Sequence, residues 1–182
     1  MICLACAEPA PGSVCDACAL TFGPAPERHV GGVLVRSAFA HGGAARRLVH
    51  RLKYEGLVAA AAPLAAAMAP LVPGDAPGLV PVPRVVARKW RHGVDPAAEL
   101  ARALARLVGL PVVNGLRPAI WTARRAGPAG RHRGQPRFGE LDAVDPMAVL
   151  VDDVMTTGTT LGAAAAVSGS TRAVTATAGV RP

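Results

Sequence analysis

Aromatic side chains are almost missing from this chain, at 3% of 182 residues. A core without them must be assembled from Val, Leu and Ala, which suits packed layers of helices, or of helices on a sheet. Lysine is nearly as scarce: Lys53 and Lys89 stand against eighteen arginines. Alongside abundant Ala, Gly and Pro, that bias resembles a GC-rich coding background, so part of the formal charge of +8 and the pI near 10.6 is compositional. The rest favours anionic partners such as nucleic acid, phosphorylated metabolites or acidic surfaces. No lysine follows a glycine, which excludes a Walker A loop, and no GxGxxG opens a helix. The opening MICLACAEPAPGSVC lacks a basic region ahead of an apolar stretch, so no signal peptide and a cytoplasmic location are expected. Leu57 to Pro73 is apolar, but alanine dominates it and it holds three prolines. It reads as a helix with Leu64, Met68 and Leu71 inward rather than a membrane insertion.

The length allows one main domain and a small appendage. All four cysteines fall in that appendage, as Cys3-x-x-Cys6 and Cys15-x-x-Cys18 with eight residues between the pairs. Each Cys-x-x-Cys turn aims two sulfurs at one centre, and two such turns supply a tetrahedral, closed, structural Zn²⁺ site. Disulfides are disfavoured in a cytosolic chain, and a redox pair would not need its duplicate. Residues 1–22 are therefore expected to form a zinc-ribbon-like module that the metal keeps folded. Gly23-Pro24-Ala25-Pro26 is the linker, and residues 27–182 are the main domain.

In that domain, residues 31–42 read as a strand and 44–56 as a helix with Leu48 and Leu52 on one face, stopped by Gly56. GLVPVP reads as a strand whose prolines mark its exit. Asp95-Pro96 caps and opens a helix that carries Leu100, Leu104 and Leu107 and stops at Gly109. PVVNGL is a candidate strand, and Thr122 to Pro146 reads as a long loop. MAVLVDD, a helix from about Thr160, and the strand RAVTATAGV complete an alternation that predicts an α/β fold with a mainly parallel sheet flanked by helices.

The most informative stretch is VLVDDVMTTGTTL, Val149 to Leu161. Its apolar run suits a central parallel strand, and ligands of open α/β sheets gather at the carboxyl ends of strands. Asp152 and Asp153 stand at that end. Thr156, Thr157, Gly158, Thr159 and Thr160 then run into a helix, where amides, hydroxyls and the dipole favour a phosphate. Carboxylates accept from sugar hydroxyls, so a phosphate and a vicinal diol a few ångströms apart satisfy both halves, as in ribose 5-phosphate. Were both Asp residues part of the strand, their side chains would face opposite ways, so at least one is expected to depend on a turn.

VLVDDVMTTGTT resembles the phosphoribosyl diphosphate (PRPP) motif of type I phosphoribosyltransferases. With the paired CxxC turns ahead of it, RLKYEG at 51–56 and VPVP at 80–83, the order is similar to the ComF family of competence-associated proteins. That resemblance implies a type I phosphoribosyltransferase-like fold. It also implies PRPP held with Mg²⁺, Asp152 and Asp153 on the ribose hydroxyls as the catalytic pair, and Thr156 to Thr160 around the 5-phosphate. By family order Arg84, Arg88, Lys89 and Arg91 are candidates for the diphosphate. Where the family usually reads Arg-Gly-Phe-Asn-Gln, this chain has His92-Gly93-Val94-Asp95-Pro96, which leaves the acceptor unassigned.

Two functions compete. One is a phosphoribosyltransferase-type protein that binds PRPP with Mg²⁺, with transfer of the phosphoribosyl group to an unknown acceptor as its activity. The other is a non-enzymatic competence and DNA-uptake factor. The loop with Arg124, Arg125, Arg131, His132, Arg133 and Arg137 would close over the diphosphate in the first reading; in the second it would engage single-stranded DNA together with the zinc module, with Trp121 and Phe138 as stacking platforms. A helicase-type competence partner is implied by the family resemblance alone. A weaker third reading makes the cysteine module a protein-interaction adaptor.

Overall fold

The computed structural model describes residues 1–84, 94–118 and 138–179. Its centre is a five-stranded sheet in the order β1-β2-β7-β6-β3, formed by β1 (Arg28–Val30), β2 (Val33–Ala40), β3 (Leu79–Pro81), β6 (Val149–Met155) and β7 (Arg172–Ala178). Every pairing is parallel except β1 with β2, a hairpin through Gly31 and Gly32, both at positive φ. β4 (Leu116–Pro118) and β5 (Phe138–Glu140) form a separate antiparallel pair.

Helices cover both faces. On one, α2 (Gly43–Tyr54), α3 (Ala61–Met68) and α4 (Pro96–Val108) share a core with Val149, Val151 and Val174. On the other, Leu161 and Ala164 of α5 (Thr159–Ser168) pack with Val33, Leu150 and Ala173. β6 thus alternates between the layers in its first three residues, all fully buried, as a central parallel strand does.

The expected elements hold with local differences. The alanine-rich stretch is a short α-helix flanked by 3-10 turns at Val58–Ala60 and Ala69–Leu71, where its prolines interrupt regular pairing. Leu64 and Met68 are fully buried and Leu71 packs against the same core. In α4 the buried face is Leu100, Ala101, Ala103 and Leu104, whereas Leu107, expected inward, is 56% exposed. It lies at the edge of the face centred on Ala97, Leu100, Ala101 and Leu104, and Val108 instead packs against the core at that turn. The expected strand at 111–116 reduces to a single bridge, Val112 with Leu79, and pairing resumes at Leu116. Within the expected loop, Phe138–Glu140 pairs in register with Leu116–Pro118.

The cysteine segment, with its one-turn helix α1 (Asp16–Ala19), is stitched to α2. Cys3, Ala5 and Cys18 belong to the same apolar cluster as Leu48, Val49 and Leu52. Thr21 Oγ1 donates to Cys18 O (2.7 Å) and accepts from Ala44 N (2.8 Å), satisfying one of the amides that a helix start leaves open. Arg51 Nη1 donates to Leu4 O at 2.9 Å. Phe22 stacks on Phe39 with centroids 4.2 Å apart, fixing the linker against β2. Among the described residues no helix is long and apolar enough to cross a membrane.

Candidate functional site

The four sulfurs come together as their spacing predicts. Sγ atoms of Cys3, Cys6, Cys15 and Cys18 all lie within 4.8 Å of one another. Cys6 and Cys15 are 3.8 Å apart, against about 3.8 Å for the edge of a tetrahedron with Zn–S bonds of about 2.3 Å. Backbone and side-chain donors face these sulfurs: Cys15 N approaches Cys3 Sγ at 3.4 Å, and Arg47 Nη2 donates to Cys18 Sγ at 3.3 Å. Burial pushes the Cys3 thiol up, but N–H groups of Cys15, Cys6 and Ala5 outweigh it and hold the thiol at about 6. The Glu8 amide lowers the Cys6 thiol, but the Cys3 thiol and burial together push it up to about 12, and burial raises Cys18. Metal ligation needs thiolates: Cys3 ionises readily, whereas Cys6 and Cys18 would need a cation to do so. The set is compatible with a structural zinc.

The second site lies at the carboxyl end of the sheet. β3 pairs with β6 only as far as Pro81 opposite Val151, plus one bond from Val82 N to Val151 O (2.9 Å). In a parallel ladder the next donor would be Arg84 N, two residues on. That amide instead donates to Asp95 Oδ2 (3.2 Å), while Asp95 Oδ1 accepts from Ala98 N (3.4 Å) as the N-cap of α4. One carboxylate thus caps a helix and ends a strand, and among the described residues β6 has no strand on its β3 side past Asp152, while β7 pairs with it to Met155.

The gap is a pocket of ≈ 680 Å³, within the range of small-molecule sites. β6 continues to Met155, so both aspartates leave the strand itself and neither depends on a turn, contrary to the expectation from the sequence. Both nevertheless border the pocket, because β3 no longer covers that flank. Asp152 is half-buried and its Oδ1 accepts from Asp153 N at 2.8 Å. Burial, with the Asp153 carboxylate beside it, pushes the Asp152 carboxyl well above the usual range. Asp153 is 5% exposed, and its Oδ2 accepts from Lys53 Nζ at 2.7 Å, with Arg84 Nη2 at 3.9 Å.

Past Met155 the chain turns into α5. Thr156, Thr157, Thr159 and Thr160 are exposed, and Thr156 and Thr160 border the pocket. Thr157 Oγ1 lies 2.8 Å from Thr159 Oγ1, which ties the loop across Gly158. Gly158 takes φ +77, and a Cβ there would stand 2.3 Å from Val30 Cγ1. The close approach that demands glycine is therefore to β1 rather than to a ligand.

Facing the aspartates, α2 presents Arg46, Val49, His50, Lys53 and Tyr54 to the pocket, beside His41. His41 Nδ1 pairs with Thr177 Oγ1 at 2.8 Å, and burial, with Arg46 nearby, lowers its pKa. Tyr54 packs its ring against His50 with centroids 4.8 Å apart. Sequence reasoning gave Lys53, Arg46 and His41 no role. Their signal is that 46, 49, 50 and 53 share one helical face, with a lysine in a chain that has two. Of the diphosphate candidates, Arg84 lines the pocket, whereas Arg88, Lys89 and Arg91 fall outside the described residues. So do Trp121 and the arginines 124, 125, 131, 133 and 137 with His132. Phe138, expected as a stacking platform, is 8% exposed: it packs with the cluster under α5 and also borders the pocket.

Neither a scan against protein-family models nor a search of curated proteins returns a match.

Proposed function

We propose that this protein binds a ribose 5-phosphate group, with PRPP and Mg²⁺ as the ligand in a type I phosphoribosyltransferase-like fold, and that the cysteine set holds a structural zinc. The observation that carries the reading is the junction of β6 and α5. A carboxylate within a central strand, past the point where β3 pairs with it, and a threonine loop at a helix N-terminus border the same pocket. Amides and hydroxyls at the start of α5 suit a terminal phosphate. Asp152, alongside, suits the hydroxyls of a pentose. Such a placement at the carboxyl edge of a parallel sheet is where α/β folds carry ligands.

Mg²⁺ fits the donor set. It takes oxygen ligands and is usually held by one or two carboxylates together with substrate phosphates, and Asp152 supplies such a carboxylate. When bound, the ion offsets diphosphate charge. Asp152 would orient the pentose, the threonine loop would fix the opposite end, and Val82, Pro83, Pro96 and Ala97 would exclude water from one wall.

Calorimetric titration with Mg²⁺ and PRPP tests the reading. Wild type gives saturable heat, and Asp152→Asn weakens it by about tenfold or more, as loss of a charge-assisted hydrogen bond does. Absence of saturable heat with wild type at millimolar PRPP would overturn it.

A further inference from the structure

The cysteine module supplies α2 with bonds that the helix cannot make for itself. Gly42, the N-cap, has no side chain, and the cap comes from Thr21, whose Oγ1 accepts from Ala44 N at 2.8 Å. Gly43 admits that approach, since a Cβ there would lie 2.6 Å from Thr21 Oγ1. Thr21 is anchored in turn on Cys18 O at 2.7 Å, Arg47 Nη2 donates to Cys18 Sγ, and Arg51 Nη1 donates to Leu4 O inside the first CxxC turn. Arg46, Val49, His50 and Lys53 of the same helix line the pocket. A change in the cysteine cluster therefore reaches a wall of the pocket through one helix.

The four sulfurs are not equally open. Cys3 and Cys18 are 0% and 3% exposed, and the Arg47 guanidinium stands on the Cys18 sulfur. Cys6 and Cys15 are part-exposed, with their sulfurs 3.8 Å apart, and oxidation selects thiolates that solvent reaches. We propose that Cys6 and Cys15 are an oxidation site for a hydroperoxide, and that their disulfide opens the metal site and unfastens α2 from the module. One thiolate takes an oxygen from the peroxide as a sulfenic acid, with loss of water, and the other displaces that oxygen as a second water, forming the S–S bond. The two sulfurs give up two electrons, and the peroxide accepts them with two protons from solvent. The sulfurs close from 3.8 Å to about 2.0 Å. Cys3 and Cys18 remain as half of a tetrahedral set, so the module loses what keeps it folded, and Thr21 is no longer held at the start of α2.

The test uses the whole zinc-loaded protein and hydrogen peroxide. Zinc release is followed with a chromogenic chelator, the bridge is mapped by mass spectrometry after the free thiols are blocked, and hydrogen exchange is compared between α2 and α4. Zinc should leave in step with a Cys6–Cys15 bridge, and reduction with dithiothreitol in the presence of zinc should reverse both. The amides of α2 should exchange about tenfold faster or more after oxidation, with those of α4 unchanged within about twofold. No bridge, a first bridge between any other pair, or unchanged exchange in α2 overturns the proposal. Equal acceleration of α2 and α4 overturns it too, because that is general unfolding rather than release of one helix. Thr21→Val separates the cap from the metal. It should retain zinc, its first α2 turn should already exchange fast, and peroxide should add less than about twofold there. A full response to peroxide in that turn of Thr21→Val would show that Thr21 is not the link, and also overturns the proposal.

Discussion

Replacing Gly158 by alanine is the sharpest test of how the threonine loop is built. The residue sits at φ +77, where a Cβ costs about 1–2 kcal/mol. The new methyl would stand 2.3 Å from Val30 Cγ1 and 2.8 Å from both Val30 Cβ and Cγ2. Carbon pairs prefer about 3.5–4.0 Å, and with all three Val30 atoms inside that distance no rotamer change relieves the overlap. β1 must move, and forced overpacking costs a further ~1–3 kcal/mol. Gly158→Ala should therefore destabilise by ~2–5 kcal/mol in urea unfolding followed by far-UV circular dichroism. In a Val30→Gly background the overlap vanishes and only the backbone part remains, so the double-mutant cycle should show about 1–3 kcal/mol of coupling. The same cost for Gly158→Ala in both backgrounds would refute the packing argument. A cost below about 0.5 kcal/mol would refute the strain argument as well.

Two other outcomes follow from the same geometry. Metal analysis should find one zinc per chain, lost in Cys3→Ser/Cys18→Ser, and chelation should lower the thermal midpoint, because the cysteine cluster is continuous with the core beneath α2. Asp152 has a folded pKa raised above its ordinary 3.8, so the folded state binds the extra proton and stability falls as pH rises through that raised value. Asp152→Asn should therefore raise the urea midpoint at pH 7, with the gain shrinking toward pH 4. An unchanged or lowered midpoint at pH 7 would count against burial of that carboxylate.

Much of this was legible because the signals are local. The CxxC spacing set the cysteine cluster, the Val149–Val151 run announced a two-sided strand, and Asp95-Pro96 with Gly109 bracketed α4 within a residue. What escaped depends on partners distant in sequence. Lys53 and Asp153 are 100 residues apart, so nothing near either predicts that one aspartate of the pair is already occupied. Phe138 read as part of an irregular loop because its three-residue strand is too short for periodicity, and only its pairing with β4 defines it. Leu107 is three residues past Leu104 but falls at the edge of the buried face, whose centre at that turn is Val108, a choice that leucine spacing alone does not make.

Asp95 stands where the chain decides between a zipped sheet and an open groove. Were its carboxylate gone, the Arg84 amide would be free to reach for Asp153 O, and β3 would close alongside β6 like the last teeth of a zipper. The amide that would lengthen the ladder beside the groove is thus held by a helix cap at the start of α4, away from the groove's floor.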